Sequence, residues 1–489
     1  MSSLLAQHLE RARALKAQRE HAIAARPAGL SVEASEAQQQ VWLHARLAGN
    51  VPLYNEPITI YFTGSLNASV FERSFNEILR RHEAWRTSFE WRDGKLLQVV
   101  KPEIVVRIPF TDIRKEPARN REHRARELAT QDAAIPIDVA KAPLFRTRLV
   151  QLGDADYRFY LTLHHLLFDG VSLYQVFLPE LQKSYRAFSE GREPSLSPIP
   201  VQYADACLYD QQHRDSAANS RHMRYWERQL AGDLPELNLP LDRSRPAVRN
   251  YSGAAESFSI SLDVTQKLKT IGVTASATPY MTFLGAFHLL LFRITGQSDQ
   301  IIGTVTSTRK YKETEHLLGY FLNTILIRVR FHASDTFREL LQRVRDTTLD
   351  ALDNEVPFSA VLSRFAGRRN AGVNPLFQTM FLWAPRTPQT DPSWKLRQME
   401  FETGTAKFDF YVELDDREEG LAGRFTYSRE VFDATTIARW KGEWIALLSA
   451  LAANPDQPIG QLVEHLAAPF HSGSNWMRYF RFSGKHRRS

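Results

Sequence analysis

Residues 161–170 read LTLHHLLFDG, an apolar run that ends in two adjacent imidazoles, with a carboxylate and a glycine shortly after. Imidazole is the side chain best suited to moving a proton near neutral pH. Neighbouring residues on a strand point to opposite faces, so His164 and His165 cannot readily share one metal ion, and no metal site is expected. The same alternation divides their labour: one ring faces the core and is held there, the other faces a cleft. Asp169 lies four residues past His165 across a turn, an awkward place for a His–Asp dyad. A DG pair often only marks a turn, and buried histidines are common. The exit of a strand into a loop is nevertheless where catalytic side chains concentrate, so a catalytic or substrate-positioning role is preferred to a structural one. GxGxxG, P-loop, GxSxG and HExxH patterns are all absent, and nothing suggests a bound redox cofactor.

The elements that must carry these residues follow from periodicity. PITIYFTG (57–64) alternates as a strand, and SVFERSFNEILRRHE (69–83) places Phe71, Phe75, Ile78 and Leu79 on one helical face. APLFRTRLVQL (142–152) and YRFYLTLHHLLF (157–168) read as neighbouring strands across the turn GDAD, followed by a helix around Leu173–Ser184. The Ser/Pro/Gly-rich SEGREPSLSPIP (189–200) reads as a connector. The same grammar then recurs. There is a helix near 278–295, strands through DQIIGTVTS and 320–331, and the helix DTFRELLQRVRDTTLDAL. Strands in PLFQTMFLWA and KFDFYVELDD follow, then a helix near 434–452. Two α/β lobes around a cleft are the economical architecture.

The chain has 489 residues, too many for one ordinary core. Hydrophobic residues make up 43% and charged residues 24%, an ordinary globular balance. No run reaches the length of a membrane span, no secretory signal is visible, and the single cysteine, Cys207, excludes an internal disulfide framework. A cytoplasmic monomer with no membrane partner is expected. The net charge is +7, with basic excess at both ends: five Arg/Lys in 1–26 and five in 476–489. The body of the chain is nearly balanced, so no nucleic-acid partner is expected. Residues 1–29 read as a basic helix (3–25) with a linker or docking element, 30–195 as a first lobe, 196–468 as a second, and 469–489 as a basic aromatic tail.

Seven stretches, in order, resemble the condensation domains of nonribosomal peptide synthetases, over residues 33–466. SEAQQQVWLHARL (35–47), RHEAWRTSF (81–89), HHLLFDG (164–170), VQYADACLYD (201–210), LGYFLNTILIR (318–328), VPFSAVL (356–362) and NPLFQTMF (374–381) carry it. The wording departs from the family at Gln40, Val171, Leu208 and Ser359, and the substrate subclass stays open. DGVS also occurs in epimerization domains, but TSTRKY stands where their EGHGRE-like run belongs. Cyclization variants replace the histidine pair with aspartates.

The resemblance implies two chloramphenicol-acetyltransferase-like lobes forming a V-shaped pseudo-dimer around a central tunnel. It implies an acyltransferase that passes a carrier-bound acyl or aminoacyl thioester to an amine, or an alcohol. It further implies donor and acceptor carrier proteins and other synthetase modules as partners, with 4'-phosphopantetheine on the carriers and no cofactor bound by this chain. His165 is then the catalytic imidazole, with the Gly170 N–H assisting an oxyanion. His164 is held inward, and Asp169 pairs with Arg309 in the interior. Arg81 and Arg86 either contact the tunnel or brace a lobe. Asn323 anchors the segment crossing between lobes or makes an ordinary loop hydrogen bond, and Ser307 and Val171 fall at the tunnel. Two rivals remain: a wax-ester or diacylglycerol-type O-acyltransferase using acyl-CoA, and an idle fold that recruits carriers or enzymes.

Overall fold

The computed structural model describes residues 23–213, 216–365, 374–384 and 391–465. The expected basic tail (469–489) and most of the expected N-terminal helix lie outside them. Residues 23–27 are irregular, and Ile23 is buried in the first-lobe core. Fourteen strands are described: β1 (Val32–Glu33), β2 (Asn55–Thr63), β3 (Thr87–Arg92), β4 (Lys95–Val100), β5 (Phe110–Asp112), β6 (Phe145–Gly153) and β7 (Asp156–His164), then β8 (Gly253–Ser261), β9 (Asp299–Ser307), β10 (Leu322–Arg330), β11 (Thr379–Ala384), β12 (Trp394–Gln398), β13 (Phe410–Arg417) and β14 (Gly420–Ser428).

They form two principal sheets. The first has the order β12-β2-β7-β6-β5, and the second β10-β9-β11-β13-β14-β8; β1, β4 and β3 make a small third sheet. On the first sheet the helix Ala68–Arg81 lays Phe71, Phe75, Ile78 and Leu79 against Phe159 and Phe145, as its 3–4 spacing requires. In the second lobe the helix Pro279–Thr295 is buried on nearly every side. Among the described residues no single helix is long and apolar enough to cross a membrane.

Two arrangements differ from the sequence reading. First, WKLRQ forms β12, which leaves the second lobe and pairs antiparallel with β2 from Trp394↔Phe62 to Gln398↔Ile58. Trp394 and Leu396 are buried in the first core. Second, the first core does not stop at residue 195. Val201, Tyr203, Ala206 and Cys207 from the helix Tyr203–Gln212 and its approach, and Leu317, Leu318 and Phe321, all belong to it. The connector at 189–200 is irregular, but it leads back to the same core.

Candidate active site

The strand β7 ends on His164, before its apolar run is finished. Its partners explain why. Asn55, the first residue of β2, stands opposite His164, and the last ladder bonds run from His164 N to the Leu144 carbonyl and from His165 N to the Tyr54 carbonyl, each 2.9 Å. Residues His165–Leu167 then close a single 3-10 turn. The Leu166 N–H donates to His164 Nδ1 at 3.3 Å, so that nitrogen carries no proton and the ring is neutral. Burial, then the neighbouring His165 and Lys407, hold His164 down at about 3. Gln38 fixes the turn from the other side, its Nε2 donating to the Leu166 carbonyl at 2.9 Å. Sequence reasoning missed this role, although Gln38 sits in the AQQQVW stretch.

His165 is half-buried between the rings of Phe168 (5.1 Å) and Tyr320 (5.2 Å, edge-on). Its Nδ1 is buried without a hydrogen-bond partner of good geometry. Burial lowers its pKa; Glu56 pulls the other way, and Lys407 acts with burial. The imidazole is therefore a free base at neutral pH, with no carboxylate hydrogen-bonded to it.

Asp169 is turned away from His165 and meets Arg309 across the lobes. Arg309 Nε and Nη2 donate to Asp169 Oδ2 and Oδ1 at 3.2 and 2.8 Å. Nη2 also reaches Ser172 Oγ at 2.8 Å, and Nη1 reaches the Thr314 and Leu317 carbonyls at 2.5 and 2.9 Å. All five guanidinium hydrogens are thus used, and the Arg309 and Asp169 side chains are 6% and 1% exposed. Ser172 extends the link: its Oγ donates to the Gly319 carbonyl and accepts from the Gly319 N–H. Gly319 must be glycine, because a Cβ there would stand 2.1 Å from the Tyr203 ring. Gly170 is different. It is exposed, and a Cβ would meet no protein atom within 4 Å.

The remaining candidates divide. Arg81 forks onto Glu180 (3.1 Å twice) and reaches the Ser197 carbonyl; Arg86 caps the Lys101 and Pro102 carbonyls. These bonds tie both arginines to groups of the first lobe and its connector. Asn323 Nδ2 donates to Glu355 and to the Val356 carbonyl, and its Oδ1 accepts from Phe358 N. It holds the loop before the helix Phe358–Phe365 inside the second lobe, which is the loop hydrogen-bond reading. That helix touches the first lobe through Ser359, which bonds Glu36. Ser307 is exposed at the end of β9, and Val171 is half-buried before the wide turn Ser172–Phe177.

Sequence reading missed the polar cluster near His165. Lys407 bonds Glu56 across the lobes and lies 5.0 Å from the Tyr54 ring centroid. His44 bridges the Tyr54 and Tyr251 hydroxyls at 2.8 and 3.2 Å. Burial, Arg249 and Lys407 hold His44 down at about 4. Glu56 lies just before the strand read at 57–64, so its carboxylate did not stand out in the sequence.

Two lobes that share a sheet strand, with an unprotonated imidazole on a rigid turn where they meet, define an acyltransferase of the two-lobed kind. Comparison with known proteins gives the family: the condensation-domain model matches residues 31–466. One of the linear gramicidin synthase proteins of Brevibacillus parabrevis is 36% identical over 438 residues, which is 88% of this chain but 6% of that protein's length. Bacitracin synthase 1 of Bacillus licheniformis is 31% identical over 431 residues, 88% of this chain and 8% of its own length. Two solved structures share the fold. The X-domain in complex with OxyB from teicoplanin biosynthesis has TM-score 0.75 at 22% identity, covering 90% of this chain and 98% of that one. SgcC5 of Streptomyces globisporus has TM-score 0.75 at 21% identity, covering 87% and 100%. The chain belongs to the condensation-domain family, with the two-lobed chloramphenicol-acetyltransferase-like fold. The reaction of that family is amide formation by aminolysis of a thioester. Members of the family act on substrates held by phosphopantetheinylated carrier proteins within multidomain systems.

Proposed function

We propose that this chain joins an acyl or aminoacyl thioester, carried on the phosphopantetheine of one carrier protein, to the amine of an acceptor held on a second, with His165 as the catalytic base. The observation that carries this reading is His165 itself: half-exposed, neutral at working pH, and locked by main-chain bonds on both sides. An α-amine has a pKa of about 8, so a usable fraction is already neutral and nucleophilic. The amine nitrogen attacks the thioester carbon, His165 takes the proton that the nitrogen sheds, and the tetrahedral intermediate collapses to amide and thiolate. The imidazolium then returns its proton to the sulfur. General-base help of this kind is worth roughly 10²–10⁴-fold. We assign the Gly170 N–H the role of assisting the oxyanion, as the family resemblance implies; the residue is exposed beside the histidine turn. Asp169 and Arg309 position the turn and touch no reacting atom.

Three readings compete in one assay. Carrier proteins loaded with acyl or aminoacyl groups are mixed pairwise with the protein and followed by intact-protein mass spectrometry. Amide on the acceptor carrier supports the proposal. Ester formed from acyl-CoA and a long-chain alcohol, with none from carriers, supports the wax-ester type. Carrier binding without transfer supports an idle recruiting module; the teicoplanin X-domain of the same fold was solved in complex with OxyB. Both histidines of HHLLFDG are intact here, which favours turnover.

A further inference from the structure

We propose that Glu56 and Lys407 form a positioning pair for the reaction, one charge from each lobe, set beside His165 so that their balance keeps its imidazole an available base. This rests on the reading of His165 as the base.

The placement is fixed by main chain on both sides. Glu56 follows Asn55 on β2 and stands opposite Leu163, one ladder step from the Asn55–His164 pair, and the preceding Tyr54 carbonyl holds His165 N. Lys407 comes from the segment between β12 and β13, which is laced to the start of β8: Gly253 N to the Gly404 carbonyl at 2.9 Å, Ala406 N to the Tyr251 carbonyl at 3.0 Å, and a Ser252↔Thr405 bridge. Tyr251 itself sits at φ 59°, the left-handed region that bulky residues rarely enter. The two charged side chains are 18% and 20% exposed. Burial alone would raise the Glu56 carboxyl; Lys407, then His165 and Arg424, pull it down to about 2, so it is a full anion.

A buried ion pair is weak as a source of stability, since apolar residues of similar volume serve as well. Its position gives it another use. Among the described residues, the charged and titratable groups that act on His165 are Glu56 from β2, Lys407 from the second lobe, Tyr320 from the loop before β10, and on its own turn His164 and Asp169, the last paired with Arg309. Glu56 favours the imidazolium and Lys407 opposes it. With both present the two oppose one another, and burial, the largest effect, leaves the ring neutral. With Lys407 removed, Glu56 is still supported by Arg424 and the imidazolium gains an unopposed anion.

The test reads the ring directly and needs no carrier. The full-length protein is labelled with 15N-histidine and titrated by NMR, and the His165 resonances are assigned by their loss in His165→Ala. Lys407→Met raises the His165 midpoint by about one unit, a tenfold shift in protonation. Glu56→Gln keeps the ring neutral to lower pH than in the native protein. Lys407→Arg leaves the midpoint where it was, and Glu56→Gln/Lys407→Met returns it toward the native value. Should Lys407→Met fail to fold, Lys407→Gln takes its place. Midpoints that stay put, or move the same way in both single variants, overturn the proposal and leave the pair a lobe clamp. Turnover of His165→Ala is measured separately. Native activity there would remove the base assignment without touching the titration result.

Discussion

Replacing Arg309 by methionine removes one side chain and strands several groups. The Asp169 side chain keeps only the Ser172 N–H as a donor, at 2.7 Å; the Leu317 carbonyl loses its arginine donor, and the Thr314 carbonyl is left with the Leu317 N–H at 3.4 Å. The carboxylate is 1% exposed, so water cannot replace the lost partner without opening the core. Breaking a pair buried to this degree costs about 3–5 kcal/mol. The two lobes share a strand, so the cooperative unit is about 430 residues; each kcal/mol then moves Tm by roughly 1 °C, which predicts a fall of roughly 3–6 °C. Arg309→Lys should recover little, because one ammonium cannot replace a planar fork with five donors. Asp169→Asn should fall by a similar amount, leaving an uncompensated guanidinium. The informative measurement is the double variant in urea or thermal melts. If the two groups act as a pair, its loss is well below the sum of the single losses, with a coupling above about 1 kcal/mol. Additivity within about 0.5 kcal/mol would refute the reasoning. So would an Arg309→Met protein that melts like the native one.

His165→Ala should abolish amide formation while the melt is retained. His164→Ala should lower Tm, because it opens a cavity and leaves the Leu166 N–H unpaired, at about 1–3 kcal/mol. Gly319→Ala should destabilise strongly and lower activity through the turn, while Gly170→Ala melts normally; denaturation of both checks the contrast between a crowded and an open glycine. Acid should unfold the protein early. His164, His44 and His288 are held neutral at about 3, 4 and 4, below their unfolded value of 6.5. The unfolded chain therefore binds more protons, and stability is lost as pH falls from 6.5 toward 4, by about 2 kcal/mol per histidine at pH 5. Melts between pH 7 and 5 measure it; a flat profile would mean the rings titrate freely.

How much of this was legible in the sequence depends on the range of the interaction. Phe71, Phe75, Ile78 and Leu79 repeat at helical spacing, so the helix could be read within one turn of its true ends. The HHLLFDG turn was equally local. The stop of β7 at His164 was not, because the limit was set by where β2 begins. β12 was missed for a related reason: WKLRQ is short, mostly polar, and strand-like only against a partner far earlier in the chain. Arg81, Arg86 and Asn323 show the other limit. A side chain's chemistry says what it can bond, but the choice between Glu180 and a tunnel wall is made by packing.

The strand β12 also bears on how such a protein can be inherited and rearranged. A cut at residue 195 would deprive the first sheet of the strand that covers β2, exposing a row of main-chain donors and acceptors from Ile58 to Phe62. Such an edge is a template for pairing with other chains. It would also remove Tyr203, Leu317, Phe321 and Trp394 from the first core. Neither lobe is a module that can be shuffled by one crossover, in a genome or at the bench. A chimera that exchanges the first lobe must carry residues 199–209, 317–321 and 394–398 from the same parent. Viable recombinants are therefore expected to be exchanged whole, with breakpoints outside both cores.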